Sequence, residues 1–377
     1  MRRLGGDVWD KICSLENIKE AHHRAREDKS FYKEVKMVNE NEEYYCKLIQ
    51  EMLINGTYQV SPYEYKKIND NGKERTLMKL PYFPDRIIQW AIMLQIEDTF
   101  LQTFCYHTCA SIPGRGNKRV RELINKYMKD KYGTKYCLQI DVKKFYDNIS
   151  HKQLKKLLRR KIKNNKLLSL LDLIVDSYPG EVGIPIGSYL SQYLANFYLS
   201  YFDHYLKEKL HVKYVVRYMD DMILFSNDKH KLWTWYYKSK QFLKRYLKLE
   251  VKSNYAVYPT RIRGVDYIGY RYFGEYILLR KKITKKFKKL AKKILHKQNN
   301  VEKITHREWA GINSYLGYLK WCDSYKLFEK YIEPIIPSMI KYYQDNICKN
   351  YSKKKKAKRT RQYFIKIFQK KGRCYAA

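Results

Sequence analysis

The chain has 377 residues and carries 77 Lys and Arg against 38 Asp and Glu, a formal net charge of +39 at pH 7. Its 45% of hydrophobic residues exclude a wholly disordered chain, and the lack of a long apolar run or a signal-peptide core argues against a membrane or secreted protein. So large a positive charge would oppose compaction unless a polyanion neutralised it, and basic residues spread over the whole length favour nucleic acid as that polyanion.

The first third of the chain is predicted to be helical apart from one basic hairpin. Residues 1–55 alternate in charge and hold few turn residues, which is typical of helices. The segment "INDNGKERTLMKLPYF", 68–83, places Asn-Gly between β-capable flanks and predicts a hairpin. Apolar positions at helical spacing predict a buried helix over 85–104, and a Gly/Pro loop, 111–117, precedes another helix.

Acidic side chains in the middle of the chain stand where strands are predicted to end. The run "YCLQI" is typical of a short strand and places Asp141 at its carboxyl end. Helical sequence follows over 151–176 and, after a turn, over 178–210. The segment "VVRYMDDMILF" has two apolar arms joined through Tyr-Met-Asp-Asp, which predicts a hairpin with Asp220 and Asp221 at its tip.

The last third is predicted to be mainly helical. An amphipathic helix over 229–248 precedes an alternating hairpin pattern over 263–280, and residues 281–345 are helical and basic. The final stretch, "KKKKAKRTRQYFIKIFQKKGR", contains no acid, and we expect a mobile arm, with a clamp on RNA as the alternative. This order of elements predicts an α+β fold in which a small antiparallel sheet carries a cluster of acids.

Three carboxylates in one place require a cation. Asp141 and the pair Asp220 and Asp221 would raise one another's pKa if the strand end and the hairpin tip lie side by side. A single aspartate is more often a cap or turn residue, but burying adjacent acids between apolar arms without a cation is costly. Two Mg²⁺ ions, or Mn²⁺ as the alternative, suit hard oxygen ligands and can hold both oxygens of a displacement at phosphorus. The pattern therefore predicts phosphoryl or nucleotidyl transfer on a polyanion.

Four motifs, in this order, resemble those of reverse transcriptases. They are "LQIDVKKFYDNISH", "GIPIGSYLSQYLANFYLSYFDH", "RYMDDMILF" and the primer-gripping hairpin "RGVDYIGYRYF". The resemblance implies an RNA-directed DNA polymerase, a nucleotidyltransferase with the right-hand fold of fingers, palm and helical thumb. The implied domains are an N-terminal helical extension over 1–49, fingers over 50–135, a palm over 136–277 with part of the fingers interleaved, a thumb over 278–345 and a basic tail over 346–377.

The same resemblance implies roles for individual residues. The catalytic metal ligands would be Asp141, Asp220 and Asp221, with the Val142 carbonyl as a further ligand. Tyr146 would lie under the sugar of the incoming nucleotide and reject a 2′-hydroxyl; the alternative is an ordinary core aromatic. The other nucleotide-binding residues would be Lys79, Arg86, Gln192 and Lys252, the last as general acid for pyrophosphate. Template and primer would contact Lys73, Arg75, Arg115, Gly269 and Tyr270. The alternative for the basic hairpin is a solvated face.

The segment "GSYLSQ", 187–192, together with "LGYLKWCDSYKL", most resembles the enzymes of diversity-generating retroelements. That likeness implies cDNA synthesis with misincorporation at adenines, with Ile186 and Gln192 among the determinants of fidelity. The implied partners are an RNA template, a DNA or RNA primer, dNTPs, a structured noncoding RNA and a basic accessory protein, with no membrane. The expected location is the cytoplasm of a bacterial or phage-infected cell.

Three other functions share parts of this pattern. A related reverse transcriptase of anti-phage defence, which acts with a noncoding RNA or makes untemplated DNA, stays open. A non-catalytic, maturase-like RNA-binding protein would carry a broken acidic triad, and the triad here is complete. An RNA-dependent RNA polymerase would typically have Gly in place of Met219 and lack the aromatic at Tyr146.

Overall fold

The computed structural model describes the backbone of residues 3–70 and 73–372, and their side chains except at 69–70, 73, 75, 353–354, 364 and 368–372. The chain divides into two compact units. The first unit comprises Met1–Leu123 and Leu138–Val257, and the second comprises Ile124–Cys137 and Tyr258–Ala377.

The first unit begins with four helices, as predicted for residues 1–55. They are α1 (Val8–Cys13), α2 (Leu15–Ala25), α3 (Lys33–Glu40) and α4 (Glu42–Ile54). The Ser14 hydroxyl caps α2 by accepting a hydrogen bond from the Asn17 amide. The buried side chain of Asn17 donates to the Ala91 carbonyl at 3.1 Å and so ties α2 to α5 (Ile87–Leu101).

The predicted basic hairpin is present and starts earlier than expected. Strand β1 (Glu64–Asp70) pairs antiparallel with β2 (Lys73–Lys79), with Glu64 opposite Lys79. The two turn residues, 71 and 72, lie outside the described residues.

The central sheet of four strands has the order β4-β5-β3-β6. Along the chain, the elements that follow α5 up to this sheet's last strand are α6 (Gly116–Met128), β3 (Tyr136–Asp141), α7 (His151–Arg159), α8 (Asn165–Asp176), α9 (Tyr189–His204), β4 (Tyr214–Tyr218), β5 (Asp221–Ser226), α10 (Lys229–Leu247) and β6 (Ala256–Pro259). The middle residues of β4 and nearly all of β5 are buried; α10 packs on β5, and α9 is joined to β4 through Asp203 and Arg217.

The second unit combines a small sheet with a helical bundle. Its elements after β6 are α11 (Thr260–Arg263), β7 (Val265–Tyr267), β8 (Tyr270–Tyr272), β9 (Ile277–Leu279), α12 (Lys281–Asn299), α13 (His306–Leu319), α14 (Tyr325–Tyr331), α15 (Ile336–Tyr342) and α16 (Lys353–Gly372). The pattern over 263–280 forms three antiparallel strands, where the sequence predicted a two-stranded hairpin. On α12 the residues Phe287, Ala291 and Ile294 recur at helical spacing and are buried.

The expectation of a mobile C-terminal arm is corrected over residues 353–372, which form α16. Tyr363 anchors this helix: its ring stacks on Tyr343 with centroids 4.4 Å apart, and its hydroxyl donates to Asn313 Oδ1 at 3.0 Å. An aromatic anchor of this kind offsets the repulsion among the surrounding lysines. Residues 373–377 lie outside the described residues.

The predicted α+β class, with small antiparallel sheets among many helices, is confirmed. Within residues 3–70 and 73–372, no helix is both long enough and apolar enough to cross a bilayer.

Candidate active site

The Asp-Asp pair lies on a two-residue hairpin connection. Tyr218 of β4 pairs with Asp221 of β5, so that Met219 and Asp220 alone join the strands. Met219 has a φ of +54°, a left-handed conformation that tight two-residue connections favour. Asp220 therefore stands at the tip, and Asp221 is the first residue of β5.

The end of β3 lies beside this tip, as the sequence predicted. The Val142 amide donates to the Asp220 carbonyl at 3.2 Å, and the Lys252 amide donates to the Asp141 carbonyl at 2.8 Å. Strand order explains the meeting, because β3 and β5 are neighbours in the sheet. Acids that are far apart in sequence are thereby brought to one place.

The carboxylates of Asp141 and Asp220 interact. Burial, and after it the charge of Asp141, raises the pKa of Asp220 from 3.8 to about 6. The Lys252 ammonium donates to Asp141 Oδ2 at 2.6 Å, and its charge partly opposes the shift at Asp220. The other oxygen, Asp141 Oδ1, is buried and accepts no hydrogen bond from the described residues.

These residues fit a divalent cation. A buried carboxylate oxygen without a hydrogen bond and a neighbouring acid with a raised pKa are both stabilised by a hard cation. In the described part of the chain, no three acidic, histidine or cysteine side chains are grouped closely enough to form a ready-made metal site. The structure thus pairs Asp141 with Asp220, while the metal-binding roles predicted for Asp221 and for the Val142 carbonyl stay predictions.

Tyr146 lies against the same hairpin tip. It opens a short 3₁₀ turn, Tyr146–Asn148, and its hydroxyl contacts the Met219 sulfur at 3.8 Å. Burial, followed by the charge of Asp220, raises the pKa of its phenol. The position of Tyr146 is compatible with the predicted contact to a nucleotide sugar. Because the hydroxyl makes only a weak bond to sulfur, the ring is the part of the side chain that would exclude a ligand sterically.

A cavity of about 520 Å³ in the first unit joins the basic hairpin to the helices around it. Lys79 and Arg86, both predicted to bind nucleotide, line it together. The Lys79 ammonium lies 5.6 Å from the centroid of the Tyr32 ring, which belongs to the N-terminal helical region. The cavity therefore combines cations with aromatic faces, a combination that suits phosphates and bases.

The segment before α9 forms another wall of this cavity. Ile186 lines it, and so does Ser188, whose hydroxyl caps α9 and donates to the side chain of Gln89. The Gln192 amide donates to the Ser188 carbonyl, so Gln192 lies one helical turn further along and is half-buried. The roles predicted for Ile186 and Gln192 stay predictions.

Three residues of the first unit were predicted to contact template or primer. The side chains of Lys73 and Arg75 lie outside the described residues, although both positions belong to β2. Arg115 donates from Nη1 to the carbonyls of Cys105 and Thr108, at 2.8 and 2.7 Å. Its guanidinium therefore braces the chain's own loop.

The two predicted primer-contacting residues of the second unit are held in its core. Gly269, between β7 and β8, has a φ of +84°, and a Cβ there would lie 3.2 Å from the side chains of Ile283 and Tyr318. The Tyr270 side chain is buried, and its hydroxyl donates to the Tyr318 carbonyl at 3.2 Å. Only the backbone and the outer side of this turn could reach a ligand. The contacts of Gly269 and Tyr270 with the primer therefore stay predictions.

A buried ion pair next to the tip was not predicted from the sequence. Arg217 of β4 and Asp203 of α9 are both fully buried and bonded to each other. The one signal in the sequence is the position of an arginine inside an apolar strand, two residues before the turn.

A small antiparallel sheet that brings two acids together among helices is compatible with the palm of a nucleic-acid polymerase. The family model described as "Reverse transcriptase (RNA-dependent DNA polymerase)" matches residues 65–272, more than half of the chain. The chain belongs to the reverse transcriptase family, and the enzyme class predicted for it, RNA-directed DNA polymerase, is confirmed at the level of that family.

Similar solved structures include telomerases from two yeasts. Apo telomerase from Candida tropicalis is 12% identical, with a TM-score of 0.47 over 84% of this chain and 63% of that one. Telomerase from Candida albicans in complex with the TWJ fragment of telomeric RNA is 13% identical, with a TM-score of 0.45 over 81% of this chain and 64% of that one. The chain thus spans less than two thirds of these structures. No curated protein matches the sequence.

Proposed function

We propose that the protein copies an RNA template into cDNA by two-metal nucleotidyl transfer, and that it does so in a diversity-generating retroelement. The observation that carries the chemistry is the meeting of Asp141 with Asp220, whose pKa is raised to about 6. A protein that only bound RNA would gain nothing from burying two repelling acids at a strand end.

The reacting centre is proposed to lie at the end of β3 and the tip of the hairpin. Asp141 and Asp220, with Asp221 and the Val142 carbonyl, would hold divalent ions. When bound, Mg²⁺ would activate the primer 3′-hydroxyl and neutralise the charge that develops on the phosphates. Asp141 Oδ1, which is buried and not hydrogen bonded within the described residues, supports its assignment as a ligand.

Lys252 is proposed to supply the proton that pyrophosphate takes up on leaving. Its ammonium already lies 2.6 Å from Asp141 Oδ2, so it reaches the site without a change in the backbone. In the protein without a metal ion, this ammonium neutralises Asp141. With a divalent ion bound to Asp141, the Lys252 ammonium would be free to donate its proton to the leaving pyrophosphate.

Substrate choice is proposed to depend on Tyr146 and on the cavity beside the basic hairpin. The half-buried ring of Tyr146, whose hydroxyl contacts the Met219 sulfur, would leave no room for a 2′-hydroxyl and so would favour dNTPs. Lys79 and Arg86, which line one cavity, would hold the triphosphate. Ile186 borders the same cavity, which supports the assignment of fidelity to this region; Gln192 would act with it near the nascent base pair.

The proposed partners follow from the charge of +39 and from the retroelement resemblance. They are an RNA template, a DNA or RNA primer, dNTPs, a structured noncoding RNA and a basic accessory protein. The proposed location is the cytoplasm of a bacterial or phage-infected cell. The defence enzyme remains the second candidate, and a template repeat paired with a variable repeat in the neighbouring genome would decide for the retroelement.

The activity can be tested with purified protein, Mg²⁺ and a primed RNA. We expect incorporation of dNTPs in the order set by the template, and loss of that incorporation in Asp220→Asn with RNA binding unchanged. Asp228→Asn is the matched control, because it makes the same chemical change at the exposed N-cap of α10, where Asn caps as well as Asp. Template-independent addition would favour the defence enzyme, and RNA binding without any incorporation would refute the proposal.

A further inference from the structure

A charged pair is buried under the hairpin that carries Asp220. Arg217 and Asp203 each have 0% of their surface exposed. The Arg217 guanidinium donates to Asp203 twice in parallel, from Nε to Oδ1 at 2.8 Å and from Nη2 to Oδ2 at 2.6 Å. Replacing a buried ion pair by apolar residues often costs no stability. A contribution to stability therefore does not by itself explain why this pair is present.

The remaining donor of Arg217 reaches the turn itself. Its Nη1 donates to the Met219 carbonyl at 3.1 Å and to Asn196 Oδ1 at 3.0 Å. The Met219 carbonyl belongs to the peptide bond that joins Met219 to Asp220. Met219 is in the left-handed region, which is unfavourable for a residue with a side chain, so this peptide needs an external partner to stay in place.

Further contacts keep the guanidinium aimed at that carbonyl. Thr108 Oγ1 donates to Asp203 Oδ2 at 2.8 Å, and His107 Nε2 lies 3.2 Å from Asp203 Oδ1. Burial opposes the ionisation of Asp203, but the charges of Arg217 and then of His107 hold its pKa below the ordinary value. A backbone hydrogen bond joins the same two segments: the Arg217 amide donates to the His107 carbonyl at 3.0 Å. The pair is therefore fixed from α9, from β4 and from the loop before α6.

We propose that Arg217 is a positioning residue: its ion pair with Asp203 directs the guanidinium at the Met219 carbonyl and thereby holds Asp220 against the end of β3. The neighbouring carbonyl, that of Asp220, is held from the other side by the Val142 amide at 3.2 Å. Both peptides that flank the Asp220 side chain are then fixed. This role rests on the proposed polymerase function, in which Asp220 binds metal.

The test uses the full chain and the double variant Arg217→Met with Asp203→Leu. This change removes both charges and fills their place with apolar side chains, so folding is expected to survive with a Tm within a few degrees of the wild type, about the range that such swaps give. The kcat for dNTP incorporation should nevertheless fall by about tenfold, the factor that a hydrogen bond from a charged donor is worth, with KM for dNTP little changed. The single variant Arg217→Lys should also have a lowered kcat, because an ammonium cannot bond Asp203 and the Met219 carbonyl with the forked geometry of a guanidinium.

A second measurement does not depend on polymerase activity. Hydrogen exchange in the double variant should become faster in peptides that cover the tip, Met219–Asp221, while α9 keeps its protection. Glu308→Gln is the control: it removes the charge of a buried carboxylate that bonds Lys293 and Lys297 in the second unit, and it should change neither the tip's exchange nor kcat.

The outcomes separate the two proposals. If the wild type incorporates no dNTP, the polymerase function fails, and the exchange measurement still decides whether Arg217 holds the tip. Wild-type kcat and wild-type exchange at the tip in the double variant would overturn the positioning role. The positioning role is equally overturned if kcat falls only by the fraction of protein that unfolds and exchange rises over α9 as much as over the tip. Arg217 would then support folding alone.

Discussion

The raised pKa of Asp220 predicts that this carboxylate destabilises the metal-free protein at neutral pH. Burial, followed by Asp141, moves the pKa from 3.8 to about 6. The folded state therefore binds this proton more tightly than the unfolded chain, so the free energy of unfolding decreases as pH rises through that interval. At about 1.4 kcal/mol per pKa unit, the penalty is close to zero below about pH 4 and reaches about 3 kcal/mol above about pH 6.

The variant Asp220→Asn removes the charge and keeps the shape of the side chain. In EDTA at about pH 8 it should unfold later than the wild type, with a Tm higher by about 6–12 °C, since about 1 kcal/mol shifts a unit of this size by about 2–4 °C. At about pH 4 the difference should vanish. Thermal unfolding followed by circular dichroism at both pH values measures it.

Two controls accompany this measurement. Asp228→Asn, at an exposed N-cap, should leave the Tm unchanged at either pH. Mg²⁺ should stabilise the wild type and have little effect on Asp220→Asn, because the ion relieves a repulsion that the variant lacks. If the Tm of Asp220→Asn at about pH 8 in EDTA is equal to or below that of the wild type, the charged Asp220 carboxylate does not destabilise the folded protein. The electrostatic reasoning would then be wrong.

Two further predictions concern substrate choice and nucleic-acid binding. Replacing Tyr146 by Ala should reduce the preference for dNTP over rNTP, as a ratio of kcat/KM, by about tenfold or more, whereas Tyr146→Phe should keep it because the ring remains; an unchanged ratio in the Ala variant would make Tyr146 a core residue. Ending the chain at Ser352 removes α16 and should lower the slope of log affinity for RNA against log salt by about 0.7–0.9 for each phosphate that α16 binds. An unchanged slope would mean that α16 only packs on its own unit.

The strands around Asp141, Asp220 and Asp221 were predictable from the sequence because they are apolar and the acids interrupt them. The arms around Asp220 and Asp221 are buried strands, as their composition required, and the strand that ends at Asp141 is their neighbour. Local pattern fixed each strand, and the family resemblance supplied the pairing, which no periodicity could give. The boundary at the start of β1 differs from the predicted one, and residues 263–280 form three strands where two were predicted.

Other features could not be predicted, since they depend on contacts distant in sequence. Only its position inside an apolar strand separates Arg217 from the other Lys and Arg of the sequence, and that position does not identify Asp203 as the partner with which it is buried. The bond from the Tyr270 hydroxyl to the Tyr318 carbonyl joins residues that are 48 positions apart, and the sequence gives no sign of it. The helix α16 was missed because its charge dominates its composition, while Tyr363 and the buried Ile367 anchor it.

Three features of the acidic pair have a single physical cause. Asp220 holds its proton too tightly, Asp141 Oδ2 has taken the Lys252 ammonium as partner, and Asp141 Oδ1 is buried with no hydrogen bond from the described residues. Each is what two carboxylates do when they are forced together at low dielectric without enough positive charge between them. One lysine neutralises one acid and leaves the second to be neutralised by a proton or a cation. At a pH above about 6 the proton is lost, so a divalent cation is the species that this pair favours.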